Sequence, residues 1–192
     1  MKLTAILNTN IHKKKGLVAL AKSGDNEAFS TLIHENKRNL YRIAKAMLYQ
    51  ELDIEDAIQY TILSAFQNIK KLKKDEYFRT WLIRILINHC NNILRIRKRT
   101  VSLDQLSIPM SSYEDTYKDM DLQEAVFSLK EELRIVIILF YYEDLPSKEI
   151  AKLLKVPEGT VRSRLSIARK LLQKQLNLEN DNLDAEDILN ES

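Results

Sequence analysis

The sequence predicts an all-α protein with two small helical domains joined by a flexible acidic linker, the second ending in a helix-turn-helix. Only three glycines and three prolines occur among 192 residues, which favours long helices over a fold of strands and tight turns. Apolar residues recur at helical spacing in two regions that a polar, acidic stretch separates. The predicted divisions are an N-terminal extension (1–20), a helical bundle (21–99), a linker (100–119), a helix-turn-helix domain (120–176) and an acidic tail (177–192).

The predicted bundle begins with two helices whose start signals are acidic residues. Asp25 and Asp53 each precede a run of apolar residues at helical spacing, and an Asp side chain can accept hydrogen bonds from the first backbone N–H groups of a helix. The second of these helices is predicted to bury one side from Ile54 to Ile69, with Phe66 included. A basic loop, residues 70–75, then interrupts the pattern.

The helix after this loop carries the only tryptophan. Phe78, Trp81, Leu82 and Ile85 share one side at helical spacing, so Trp81 is predicted to lie in the core. A tryptophan at such a position can alternatively stack on an unpaired base. The spacing favours the core.

Residues 145–165 predict two short helices separated by a three-residue turn, Lys155–Pro157. Pro157 suits the start of the second helix because its missing N–H would have no partner there. Val161 and Leu165 mark the buried side of that helix. This is the arrangement of a helix-turn-helix, whose second helix enters the DNA major groove. An ordinary helical hairpin with a solvated basic face remains the alternative.

The net charge is only +3, but basic and acidic residues are concentrated in different segments of the chain. Residues 77–103 contain six basic and no acidic side chains, and residues 155–176 contain six basic and one acidic. Between them, residues 102–123 hold five acids and one lysine. Residues 177–192 hold six acids and no base, and this tail is expected to be solvated and disordered. Two basic stretches predict two contacts with one polyanion.

Composition argues against an enzyme and against a secreted protein. The single cysteine, Cys90, excludes an intramolecular disulfide and fits a reducing compartment. No signal peptide or apolar run of membrane length is visible, so a cytoplasmic location is expected. His12, His34 and His89 are far apart, and neither a phosphate-binding glycine loop nor a metal-ligand pattern occurs. We therefore expect no catalytic residue, no cofactor and no metal.

Four segments follow one another in the order found in one known family. They are Gly24–Phe29, Asp53–Phe66, Phe78–Asn88 with the basic end Arg95–Arg99, and Glu158–Arg169. Together they resemble the extracytoplasmic-function (group IV) sigma factors of bacterial RNA polymerase, over about residues 25–176. The resemblance implies a factor that binds core RNA polymerase and directs promoter-specific initiation by melting the −10 element and reading the −35 element. It also implies control by an anti-sigma factor, often anchored in the membrane.

The resemblance assigns side chains to three surfaces. Polymerase-binding positions are Glu55, Asp56, Gln59 and Gln67. Positions for the −10 element are Lys73, Lys74, Arg84, Asn88, Asn91, Asn92 and Arg95. The −35 element would be read by Glu158, Thr160, Arg162, Ser163 and Arg164, with backbone contacts from Lys148, Lys155, Arg169 and Lys170. Basic side chains suit phosphates, and arginine can pair with guanine.

A conventional activator or repressor is the second hypothesis for a DNA-binding protein. The helix-turn-helix alone is compatible with it, with the first bundle then serving as a sensor or dimerisation domain. Such a regulator binds its duplex operator without help. A group IV sigma factor is instead expected to bind promoter DNA weakly until core polymerase is present.

Overall fold

The structure is a computed structural model that describes residues 16–101 and 122–190, with side chains for residues 16–98 and 122–176. The chain divides into two compact units, Met1–Arg99 and Thr100–Ser192. Within the described residues every regular element is a helix, which confirms the predicted all-α class. The predicted linker falls almost entirely outside these residues. Among the described helices, none is long and apolar enough to cross a membrane.

The first unit is a helical bundle. It contains α1 (residues 16–23), α2 (Asn26–Met47), α3 (Glu51–Asn68) and α4 (Phe78–Val101), with short 3-10 turns at Ile69–Lys71 and Asp75–Tyr77. Asp25 caps α2 as predicted, because its Oδ1 accepts hydrogen bonds from the backbone N–H groups of Glu27 (2.9 Å) and Ala28 (3.0 Å). Gly24 permits the tight turn before this cap with a φ of +107°.

The core of the first unit is a continuous layer of aliphatic side chains. Its fully buried members include Leu40, Ile43, Ile54, Leu82, Leu86 and Ile87. Val18 of α1 is also buried, so the packed unit includes residues that the sequence assigned to an N-terminal extension. A rigid bundle of this kind fixes which sides of α3 and α4 face solvent.

Two expectations for α3 are wrong. Its N-cap is Gln50, without a side-chain cap, and not Asp53. Asp53 lies in the first turn, where its carboxylate forms an ion pair with Arg97, with Oδ2 2.6 Å from Nε. Phe66 is 51% exposed because the turn of about 100° per residue carries it away from buried Ala65. Its ring still contacts the edge of Phe29, with centroids 5.2 Å apart.

Trp81 is half-buried beside Phe78, with ring centroids 6.0 Å apart. The indole therefore packs against the core without being enclosed by it. This placement agrees better with packing than with a fully exposed platform for bases.

The second unit holds four further helices. They are α5 (Leu122–Ser128), α6 (Glu131–Ile137) with a π-helical turn at Ile138–Tyr142, α7 (Ser147–Leu154) and α8 (Glu158–Asn190). Helix α8 packs against α5, α6 and α7. Its backbone continues as a helix to Asn190. Helix-forming residues without glycine or proline allow this continuation.

The helix-turn-helix has the predicted form. Helix α7 ends at Leu154, and the backbone N–H of Val156 donates to the carbonyl of Ala151 at 3.1 Å. The Pro157 carbonyl then accepts from the N–H groups of Thr160 (3.0 Å) and Val161 (3.3 Å), which starts α8. Pro157 thus stands just before the first helical residue, where its missing N–H costs nothing.

Lys155→Gly is expected to raise the free energy of unfolding by about 1 kcal/mol. Lys155, which caps the C-terminus of α7, has the left-handed conformation, with φ 56° and ψ 43°, where a Cβ atom is unfavourable and glycine is the usual residue. Urea unfolding followed by circular dichroism measures the change. Lys155→Ala is the matched control, since it removes the ammonium group but keeps the Cβ atom. An equal gain in both variants would contradict the strain argument.

Candidate nucleic-acid interface

Helix α8 has a buried side and an opposite outward face. At about 100° per residue, Val161, Leu165 and Ala168 fall together, and all three are buried. The residues farthest from this buried side define the outward face of α8. All five are exposed: Gly159, Ser163, Ser166, Lys170 and Lys174. Sequence analysis identified Ser163 and Lys170 but not the two small residues beside them. Small side chains at the start of this face let its backbone approach a partner closely.

One flank of the outward face carries Arg162 and Arg169. Arg162 Nη2 donates to Glu158 Oε1 at 2.6 Å, one turn away on α8. Arg169 Nε donates to the Tyr141 hydroxyl at 2.8 Å, and its guanidinium lies over the rings of Phe140 and Tyr141 at 5.8 and 5.7 Å. Arg169 therefore joins α8 to the π-helical turn. A guanidinium has five N–H donors, so this contact leaves capacity for a phosphate.

The other flank holds Arg164, which sequence analysis assigned to base reading. Its side chain is only 23% exposed, and Nη2 donates to Glu132 Oε2 of α6 at 2.7 Å. The ion pair directs Arg164 across the unit and away from the centre of the outward face. The remaining predicted backbone-contact residues, Lys148 and Lys155, are exposed.

From the resemblance to sigma factors, we expect Arg164→Ala to weaken binding of the polymerase holoenzyme to the −35 element about tenfold and to leave affinity for core polymerase unchanged. One arginine contact with DNA contributes about 1–3 kcal/mol. Promoter binding by the holoenzyme and core binding without DNA are measured separately. Unchanged promoter binding would contradict the assignment.

Glu132→Gln separates two ways in which Arg164 can act. This variant keeps the guanidinium but breaks an exposed ion pair, whose effect on stability is at most about 1 kcal/mol. Retained promoter binding indicates that Arg164 contacts DNA itself. A loss equal to that of Arg164→Ala indicates that the ion pair positions α8.

The outer face of α4 carries all five residues of this helix that the resemblance assigns to the −10 element. They are Arg84, Asn88, Asn91, Asn92 and Arg95, and each is exposed. Their spacing places them within about a third of the helix circumference. Arg95 Nη2 donates to Asn92 Oδ1 at 2.7 Å. The opposite side, with Leu86 and Ile87, is buried.

The loop before α4 is held at one end by an ion pair. Lys22 Nζ of α1 lies 2.9 Å from Asp75 Oδ1, although 53 residues separate them. Lys73 and Lys74 are exposed, and Lys74 Nζ lies 5.7 Å from the ring centroid of Tyr77, which is itself exposed. Sequence analysis missed Tyr77. The sequence pattern that could have identified Tyr77 is an aromatic residue just after a basic loop, where a base can stack.

The outer face of α3 contains the four predicted polymerase-binding residues, all exposed: Glu55, Asp56, Gln59 and Gln67. The structure adds apolar side chains on the same face. Leu52 is 74% exposed and Leu63 is 52% exposed, and Tyr60 and Phe66 flank them. A second apolar stripe, opposite the buried one, was the signal that sequence analysis overlooked.

His89 joins α3 to α4. Its Nε2 lies 3.1 Å from Ser64 Oγ, and its ring stacks on Tyr60 with centroids 5.8 Å apart. Burial lowers the pKa of His89 below its ordinary value, so the imidazole is neutral at neutral pH. Neighbouring Cys90 is fully buried. This side-chain set packs two helices together.

Comparison with known proteins matches both units to one family. Residues 32–100 match the model described as Sigma-70 region 2, and residues 119–172 match Sigma-70, region 4. RNA polymerase sigma factor SigV of Bacillus subtilis is 33% identical over 151 residues, which cover 78% of this chain and 91% of that protein. The ECF sigma factor SigW of the same organism is 29% identical over 179 residues, covering 84% and 96%.

A solved structure shares the fold. The sigma factor RpoE of Bartonella quintana, crystallised with the anti-sigma factor NepR, is 24% identical, with a TM-score of 0.64 over 79% of this chain and 98% of that chain. The chain belongs to the extracytoplasmic-function (group IV) sigma factors of RNA polymerase.

Proposed function

We propose that this sigma factor divides its work among three surfaces. The outer face of α3 binds core RNA polymerase. The outer face of α4, with the preceding loop, holds the −10 element as it melts. The outward face of α8 enters the major groove of the −35 element. The protein supplies no catalytic group, and the polymerase performs the chemistry in the cytoplasm.

The exposed apolar side chains of α3 are the main support for the proposal that this face binds core polymerase. Leu52 and Leu63 lie on a face that also presents Asp56 and Gln59. Apolar side chains surrounded by polar and acidic ones are typical of a protein interface, and the acids suit a basic partner. The opposite side of α3 packs in the bundle, so within the described residues of the first unit this face is the one exposed to solvent.

The chemistry of α4 suits unpaired bases and a phosphate backbone. Asn88 and Asn91 offer amides that can both donate to and accept from base edges. Arg84 and Arg95 supply positive charge at the two ends of the same face. Tyr77 adds an aromatic ring on which a base can stack, and Lys73 and Lys74 adjoin it.

The same α3 face suits an anti-sigma factor, which is the second partner that we propose. A regulator that covers Leu52 and Leu63 competes directly with core polymerase. The solved relative from Bartonella quintana was crystallised in complex with the anti-sigma factor NepR. Competition at one face requires no conformational change within the first unit.

Run-off transcription from a mixed promoter library tests the proposal. Purified core polymerase is assayed with and without this protein. Start sites that require both components support the proposal, and sequencing them yields the −35 and −10 elements. Unchanged start sites, together with tight duplex binding by this protein alone, would favour a conventional helix-turn-helix regulator.

A further inference from the structure

Ile167 is an exposed apolar side chain at an unexpected place in α8. It is 50% exposed and lies about 50° from the centre of the outward face, given a turn of about 100° per residue. Its neighbours one turn before and after include Ser163 and Lys170, both exposed. Packing within the unit buries only part of the Ile167 side chain, because the buried side of α8 runs through Leu165 and Ala168.

The surroundings of Ile167 point to DNA. The segment from residue 155 to 176 has six basic side chains and one acid, and that acid, Glu158, is paired with Arg162 at 2.6 Å. A surface this basic favours a polyanionic partner. Gly159 and Ser163 have little or no side chain, so α8 can lie deep in a groove.

Only one base-edge group in the major groove is apolar, the 5-methyl group of thymine. Ile167 offers branched apolar surface next to residues that face the groove, while the Arg164 guanidinium is directed toward Glu132. An isoleucine cannot donate or accept a hydrogen bond, so its contribution to readout must come from removing apolar surface from water.

We propose that Ile167 selects thymine within the −35 element by contacting its 5-methyl group. This inference rests on the proposed function of α8 and adds a specificity-determining residue to it. Arg164 then acts beside Ile167 at the flank, and Arg169 and Lys170 hold phosphates.

Replacing thymine by deoxyuridine removes the methyl group alone and tests the proposal directly. Each thymine of the −35 element selected from the promoter library is replaced in turn, and holoenzyme affinity is measured at one fixed salt concentration. Loss of one buried methyl contact is expected to lower wild-type affinity about fourfold at one position. Ile167→Ala is expected to lose about as much on the thymine promoter and nothing further on the deoxyuridine promoter.

Leu171→Ala is the matched control, since Leu171 is an exposed leucine one turn farther along α8. This variant is expected to keep the wild-type sensitivity to deoxyuridine. The inference is overturned if no thymine position is sensitive in the wild type, or if Ile167→Ala retains the sensitivity. A wild-type holoenzyme that fails to bind the thymine promoter at all overturns the proposed function itself.

Discussion

Leu63→Asp is expected to lower affinity for core RNA polymerase about 100-fold while leaving the first unit folded. Leu63 is 52% exposed on the outer face of α3, so the substitution removes little packing within the chain. In a complex, this side chain would be near the centre of the buried surface, where single residues contribute about 2–4 kcal/mol. The substitution would also replace an apolar contact at that centre by a carboxylate that must lose its water on binding.

Leu20→Asp provides the matched control. Leu20 is an exposed leucine of α1 in the same unit, and a carboxylate there tests whether added negative charge alone weakens binding. Affinity is measured by titrating labelled protein with core polymerase, and circular dichroism checks the helix content. Near-wild-type affinity for Leu63→Asp, or an equal loss for Leu20→Asp, would contradict the assignment of this face.

The helical fold was predictable because its signals are local. The caps and turns that define α2 and α8 depend on Asp25 and Pro157, which act on their immediate neighbours. The start of α3 was not predictable in this way. Asp53 has the residue type of a cap, yet its carboxylate pairs with Arg97, 44 positions later in the sequence, at 2.6 Å. Periodicity also could not tell which of Ala65 and Phe66 is buried. Both are apolar neighbours at the edge of the buried side, and one residue turns the helix by about 100°.

The candidate surfaces were predictable where they are polar. Once the buried side of α4 is known, Asn88 and Arg95 must face solvent. Exposed apolar residues were not found, because Leu63 and Ile167 look like core residues in a sequence. The engagement of Arg164 by Glu132 was also hidden, since it depends on the packing of α6 against α8. Tertiary structure was needed to separate apolar residues of the core from those of an interface.

Ser163→Glu is expected to reduce promoter binding by the holoenzyme about 100-fold and to leave core-polymerase affinity unchanged. Ser163 is exposed near the middle of the outward face of α8, and its hydroxyl donates to the Thr160 carbonyl at 3.0 Å. A carboxylate there would meet the phosphates and acceptor-rich base edges of the −35 element, and like-charge contacts in an interface cost several kcal/mol. Holoenzyme affinity for a promoter duplex provides the measurement.

Two variants and a salt series separate this electrostatic effect from loss of the Ser163 hydroxyl and from added charge elsewhere in the unit. Ser163→Ala removes the hydroxyl without adding charge and should lower promoter affinity less than tenfold, because a single neutral hydrogen bond to DNA contributes about 1 kcal/mol. Gln123→Glu adds the same charge to an exposed position of α5 and should bind like the wild type. The loss in Ser163→Glu should shrink as salt rises, because counterions screen the repulsion. A loss independent of salt, or one matched by Gln123→Glu, would mean that Ser163 does not face the DNA.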